Sequence, residues 1–379
     1  MSTAIDALTA VYNDAFAQLG QSAEHDRRVV VTSWPSLPVE IVRACGLRLV
    51  VARASTSATP AADAHLEAGL FPGRVRQLVD AALDGRLSSV ARVVIPRTSD
   101  SDYKCFLYLR EFVRGGLVAA MAPTTLFDLL QSDGPHVRRH NVACTRALLN
   151  SLAATSSHHP SDDEVRDEIR VTNAARAAVR RLAALRIGAP RASGTELFPV
   201  LAAFWHVPPR EYARLANQVA EDLSDRSPLG GPHVLLAGAP VDGTGLHAAI
   251  ESRGAVVVDE LSAWSSPGAD DDVRCDADPV AALADAYRRR TIGPRLPRSV
   301  LRGRIERALG HVDAVVISLP QDDATFGWDY PALRDDLTAR GLPHAVLRGD
   351  AYGGLTPDDG EHIGRLVDAA TQRNRTLHG

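Results

Sequence analysis

Short apolar runs rich in Val, Ile and Leu, each bounded by turn-forming residues, alternate along this chain with longer stretches of helical period. In the first part the runs fall at residues 29–33, 48–53, 91–96 and 116–121, with helical patterns at 71–83 and 103–113 among them. The rhythm returns at 234–237, 255–258, 313–319 and 344–347, separated by helical stretches at 243–252, 279–290, 300–309 and 330–340. Nearly continuous apolar strands alternating with helices predict parallel sheets covered on both faces. The fold class that follows is α/β, with two Rossmann-like or flavodoxin-like parallel-sheet domains of similar plan joined by a helical zone.

Capping signals mark that zone. Pro160-Ser161-Asp162-Asp163-Glu164 puts a hydroxyl at an N-cap and acids in the first turn, predicting a helix that runs to about Arg186, ahead of Gly188 and Pro190. Ser193-Gly194-Thr195-Glu196 opens a second helix ending near Trp205-His206, and Pro208-Pro209 opens a third. Residues 224–232, rich in Gly, Pro and Ser, are the best linker candidate. The expected organisation is an N-terminal α/β domain at 1–155, a bridging helical region and linker at 156–230, and a C-terminal α/β domain at 231–379. A polar loop at 265–278 follows Asp259-Glu260 and is placed to cover the mouth of the second domain.

Composition narrows the class. The chain has 379 residues, 45% of them apolar and 23% charged, with a formal charge of −4 and a pI near 6.4. These values suit two or three globular domains and give no electrostatic reason to expect nucleic acid. No stretch approaches the ~20 uninterrupted apolar residues of a membrane span, and residues 1–20 lack a basic start followed by an apolar block. The expectation is a cytoplasmic protein with no membrane partner. Cys45, Cys105, Cys144 and Cys275 form no C-x-x-C pair and read as small apolar residues rather than disulfides.

In an open parallel sheet, ligands bind outside the carboxyl ends of the strands. Here two of those ends read Arg97-Thr98-Ser99-Asp100 and Pro320-Gln321-Asp322-Asp323. Ser99, Asp100 and Asp323, with Asp102 and Asp322 beside them, are candidate acid–base residues, because carboxylates sharing a partly dry site split their pKa values. The same residue types also cap helices, a role that suits Asp100 and Asp102. Tyr103 and Lys104 stand at the same helix start and are candidates for contacting a ligand phosphate or thioester. Trp34-Pro35-Ser36-Leu37-Pro38 follows the first strand, with Ser36 a candidate cap. Gly238-Ala239-Pro240-Val241-Asp242-Gly243-Thr244-Gly245 is a strand-to-helix turn of a kind that receives phosphate, but it lacks the dinucleotide fingerprint and the Lys-Ser/Thr of a P-loop. His136 and His140 have the i,i+4 spacing of a metal pair, yet Arg138 and Arg139 flank them and no third ligand is near, so no metal is expected.

Five segments, in order and spacing, resemble the 2-hydroxyacyl-CoA dehydratase and benzoyl-CoA reductase family across residues 29–370. They are Pro38-Val39-Glu40-Ile41 with Cys45-Gly46-Leu47; Ser161 through Asn173 and Arg176 to Glu196; the turn from Leu235 to Asp242; Gly254 through Glu260; and Trp328-Asp329-Tyr330-Pro331 with Gly341-Leu342-Pro343 and Gly349-Asp350. The resemblance implies a 2-hydroxyacyl-CoA thioester bound between two sheet domains and dehydrated through a ketyl radical. It further implies an ATP-driven activator protein that supplies the electron, a [4Fe-4S] cluster on three cysteines, and pairs of related subunits. Carried over by position, those cysteines fall at Phe71, at Ser99, and at or next to Asp323, none of which is a thiol. Neither a phenyl ring nor an alcohol substitutes for thiolate, and Cys105 lies more than a helical turn beyond Ser99. The expectation is that this chain holds no cluster of its own.

By the same resemblance, the loops at 34–38 and 261–266, with Ser36 and Trp264, would line an acyl-CoA cleft, and Phe71, Tyr103, Lys104 and Phe326 are further candidates for contacting the substrate. Three functions remain open at this point. One is a cluster-less dehydratase-like subunit that positions a thioester beside a cluster-bearing relative. The others are a non-redox enzyme using polar acid–base residues, and a non-catalytic ligand-binding protein.

Overall fold

The computed structural model describes residues 3–22, 26–54, 57–67, 69–239, 241–265, 271–290, 295–320, 323, 325–350 and 354–378. Within them, β1 (Val29–Thr32), β2 (Arg48–Val51), β3 (Arg92–Pro96) and β4 (Thr124–Phe127) form one sheet in the order β2-β1-β3-β4. A second sheet, in the order β6-β5-β7-β8, is built from β5 (His233–Gly238), β6 (Val256–Glu260), β7 (Ala314–Ser318) and β8 (His344–Leu347). Every strand pair in both sheets is parallel. The two-sheet α/β fold is therefore as the alternating pattern indicates.

One strand differs from expectation. Residues 116–121 form turns, and the fourth strand lies at Thr124–Phe127, in register with Val93–Pro96. Val118 and Ala122 are buried without joining a ladder, whereas Thr124, Thr125 and Leu126 at the sheet edge are only half-buried. Apolarity thus marks the buried turn more strongly than the edge strand.

Helices fill the connections: α1 (Thr3–Asp14), α2 (Val39–Ala44), α3 (Pro60–Asp63), α4 (Gly73–Leu83), α5 (Asp100–Arg114) and α6 (Pro135–Ser156) belong to the first half. The central zone contains α7 (Asp162–Ala184), α8 (Gly194–Ala202) and α9 (Pro209–Ser224). The second half carries α10 (Gly245–Glu251), α11 (Pro279–Arg290), α12 (Arg298–Leu309), α13 (Phe326–Ala339) and α14 (Pro357–His378). The capping signals act as read. Ser161 Oγ accepts from Glu164 N at 3.3 Å while Glu164 Oε2 accepts from Ser161 N at 2.8 Å, a reciprocal box at the start of α7. At α8, Ser193 Oγ accepts from Glu196 N, and the Glu251 carboxylate of α10 takes Gly194 N and Thr195 N at 2.6 and 3.0 Å.

The central helices share one continuous core with the first sheet and with the second half. It runs from Val30, Leu49 and Val94 through Val179, Phe198 and Tyr212 to Trp264, Leu283 and Tyr287. Among the described residues, no helix is long and apolar enough to cross a membrane.

Candidate ligand cleft between the two sheets

In each sheet the chain reverses its lateral direction between the two central strands, at β1/β3 and at β5/β7. A cleft of about 780 Å3 is lined from both switch points. Trp34 follows β1 and Ser99 follows β3; Asp242 follows β5, and Ser318 and Asp323 lie at the end of β7. Arg53 after β2 and Arg348 after β8 add to the two walls. The carboxyl ends of two parallel sheets therefore meet at one site, where the polar ends of strands and helix N-termini converge.

On the first-domain wall the central group is Asp102, in the first turn of α5 and fully buried. Ser33 Oγ donates to its Oδ1 at 2.9 Å, while Thr98 Oγ1 and Ser99 Oγ donate to Oδ2 at 2.5 and 2.8 Å. Ser99 Oγ in turn accepts from Asp102 N at 3.1 Å, which makes Ser99 the N-cap of α5. The Arg74 guanidinium lies 3.5 Å from Asp102 Oδ2 and 4.0 Å from the centre of the Trp34 ring. Asp100 is exposed on the first turn, so the cap falls to Ser99 rather than to Asp100 or Asp102.

On the opposite wall, Asp323 Oδ1 accepts from Phe326 N at 3.1 Å and Oδ2 from Gly327 N at 2.7 Å, so this carboxylate caps α13. Asp322 lies outside the described residues. Ser99→Ala and Asp323→Ala are each expected to lower stability by about 1 kcal/mol, the usual worth of an N-cap, in urea unfolding followed by circular dichroism. A loss below about 0.3 kcal/mol would mean that these bonds do not cap.

Asp242, in the glycine turn after β5, also lines the cleft, and no motif in the sequence marks it as a site residue. It is half-buried, and Trp264 Nε1 donates to its Oδ1 at 2.7 Å. Tyr12 Oη donates to the Asp242 carbonyl at 3.2 Å, and the Tyr12 ring sits edge-on to Trp264 at 5.4 Å. Burial raises the Asp242 carboxyl above the ordinary aspartate range, against the pull of Arg74, the Trp264 N–H and Arg53.

Four arginines line the cleft. Arg74 faces Asp102, and Arg295 donates to Asp128 Oδ1 and to the Arg97 carbonyl, both at 2.7 Å, tying the second half to the first at the rim. The other two have no carboxylate within salt-bridge distance among the described residues. Arg53 donates to Asn13 Oδ1 at 2.8 Å and stacks over Tyr12 at 4.7 Å, and Arg348 donates to the Leu319 carbonyl at 3.3 Å. A cation directly after an apolar strand was the available signal for both, but their convergence depends on two sheets meeting.

Of the residues singled out from sequence, the cleft brings together Ser99, Asp100, Asp323 and Phe326. It is not lined by Ser36, Phe71, Tyr103, Lys104 or Trp264. Ser36 is buried with no side-chain partner and does not cap α2, whose N-cap is Pro38. Phe71 is 1% exposed and packs edge-on against Tyr108 in the first-sheet core. The Tyr103 ring lies beneath Arg97 at 4.6 Å, and Lys104 points to solvent from α5. Trp264 is buried behind Asp242 and reaches the cleft only through that hydrogen bond. Of the cysteines, Cys45 and Cys105 are buried in cores, Cys144 Sγ lies 3.3 Å from His140 Nε2, and Cys275 contacts the Val273 carbonyl. His136 and His140 are exposed on α6, and no cluster of three metal-ligating side chains occurs among the described residues.

No curated protein matches the chain. A family described as 2-hydroxyglutaryl-CoA dehydratase, D-component, matches residues 36–358, from the loop leaving β1 to the first turn of α14, and so takes in both walls of the cleft. With most of its length inside that match, the second switch point included, the chain belongs to this dehydratase family.

Proposed function

We propose that this chain is a dehydratase-like subunit that holds an acyl-CoA-type thioester in the cleft without an iron–sulfur cluster of its own, alongside a cluster-bearing relative. The observation that carries the reading is the pair Arg53 and Arg348, which face one cleft from different sheets with no carboxylate partner among the described residues. Guanidinium groups left in that state favour a polyanionic ligand, and the phosphates of CoA fit that demand.

The donor set does not fit a cluster. At the positions the family resemblance assigns to thiolates stand Phe71, whose ring is in the core, and Ser99 and Asp323, whose oxygens cap helices. Cys105 is fully buried on α5, and burial drives its thiol far above the ordinary range, against thiolate formation. No step is therefore routed through iron in this chain, and a related subunit would supply that chemistry. The capping roles also weigh against a reading in which Ser99 and Asp323 are the acid–base pair of a non-redox enzyme.

Titration calorimetry with CoA is the test of ligand class. Arg53→Ala and Arg348→Ala should each weaken binding about tenfold or more, equivalent to the ~1.5 kcal/mol of a charged hydrogen bond, and binding should weaken with added salt. Unchanged affinity in both variants would remove the basis of the reading. Co-expression with a cluster-bearing relative tests the partner: a stable complex with iron confined to that relative is expected, and stoichiometric iron in this chain alone would overturn the proposal.

A further inference from the structure

Asp242 differs from the other carboxylates of the cleft in how its oxygens are used. Asp323 spends both on backbone N–H groups of α13, and Asp102 spends both on hydroxyls. Asp242 uses only Oδ1, on the Trp264 indole, while Oδ2 has no hydrogen-bond partner among the described residues and is not sealed from the cleft. Two elements hold the residue: Tyr12 of α1 fixes the backbone carbonyl, and Trp264 after β6 fixes Oδ1.

The charged groups that face it are Arg74 from α4 and Arg53 after β2, with Asp102 from α5 adding the opposite sign. Both arginines are otherwise engaged, Arg74 with Asp102 and Trp34 and Arg53 with Asn13 and Tyr12, and neither forms a salt bridge to Asp242. Desolvation without a directly paired cation favours the neutral acid.

We propose that Asp242 is a ligand contact that works as a neutral carboxylic acid, donating a hydrogen bond from its Oδ2–H to the carbonyl oxygen of the acyl thioester. The inference deepens the acyl-CoA reading and rests on it. Its consequence is that recognition of the acyl group, as distinct from CoA itself, takes up a proton when the resting cleft holds Asp242 ionised. An N–H donor at this position would replace the acid without titrating. The contact also polarises the carbonyl, so a thioester is preferred over the free thiol.

The experiment measures the affinities of butyryl-CoA and of CoA for the full chain by calorimetry from pH 5 to 9. The ratio of the two cancels titration of the CoA phosphates. In the wild-type protein this ratio should fall by up to tenfold per pH unit above the point where Asp242 ionises. In Asp242→Asn the preference for butyryl-CoA should persist and become independent of pH, and in Asp242→Ala it should be lost. Trp264→Phe removes a donor that favours the carboxylate, so the fall should begin at higher pH; this variant serves if the Asp242 variants fold poorly. A wild-type ratio that is flat across the range, or a pH dependence that survives in Asp242→Asn, would overturn the inference while leaving CoA binding intact. No binding of either compound at any pH would remove both the inference and the reading beneath it.

Discussion

Replacing Arg176 by Met is expected to lower the free energy of unfolding by about 3–5 kcal/mol, the cost of leaving a buried charge without its partner. Arg176 is 1% exposed on α7, and its Nη2 donates to Glu40 Oε1 at 2.5 Å and to Tyr287 Oη at 3.1 Å. Tyr287 Oη in turn donates to Glu40 Oε2 at 2.9 Å, so one closed network joins α2 of the first half, α7 of the central zone and α11 of the second half. Asn173, one turn before Arg176, accepts from Arg176 Nη1 at 2.8 Å and exchanges hydrogen bonds with Val273 N and O, pinning the segment that leads into α11. The pair is wholly buried, and desolvation offsets much of its mutual attraction. The large effect therefore comes from breaking it rather than from its net worth. Urea unfolding checks this, and Glu40→Gln combined with Arg176→Met should recover a large part of the single-variant loss. A single-variant loss below about 1 kcal/mol would mean that Glu40 finds other compensation on the loss of Arg176.

Gly238→Ala is the second substitution with a large expected effect. Gly238 ends β5 at φ +92°, and a Cβ there would lie 2.2 Å from the Ser318 carbonyl oxygen at the end of β7. A left-handed backbone costs an L-residue about 1–2 kcal/mol, and relieving the clash must also part the two central strands where Gly238 and Ser318 are in register. The total is expected to be on the order of 3 kcal/mol, with the damage centred on the cleft floor between Asp242 and Asp323. Gly243→Ala, in the same turn, is the control, because a Cβ at that position meets open space. Equal losses for the two variants in urea unfolding would contradict the steric account.

Much of this architecture is legible one segment at a time. Strands β1, β3, β5 and β7 are buried on both faces, so their apolarity is unbroken and their positions are readable. The starts of α7 and α8 are readable because capping is local chemistry, settled within four residues. The edge strand β4 is not, since half of each edge residue faces out and the buried residues at 118 and 122 compete with it for the apolar signal.

The candidate site divides along the same line. Its location at the strand ends follows from the α/β alternation alone, and Ser99 and Asp323 do stand there. Whether their oxygens face a ligand or a helix turn depends on angles that residue type does not specify, and in both cases the backbone N–H groups of the next helix claim them. Membership of the dehydratase family, the two parallel sheets and the absence of thiols at Ser99 and Asp323 are all properties of residue order. The tertiary structure alone decides that Arg53 and Arg348, 295 positions apart in number and each the first residue or so beyond a strand, face one cleft with no carboxylate within salt-bridge distance among the described residues. It also decides that Trp264 holds one oxygen of Asp242, while the other has no hydrogen-bond partner among the described residues. The reason is physical: local propensity acts over a few residues, whereas charge pairing and desolvation depend on which distant groups the fold brings within a few ångströms.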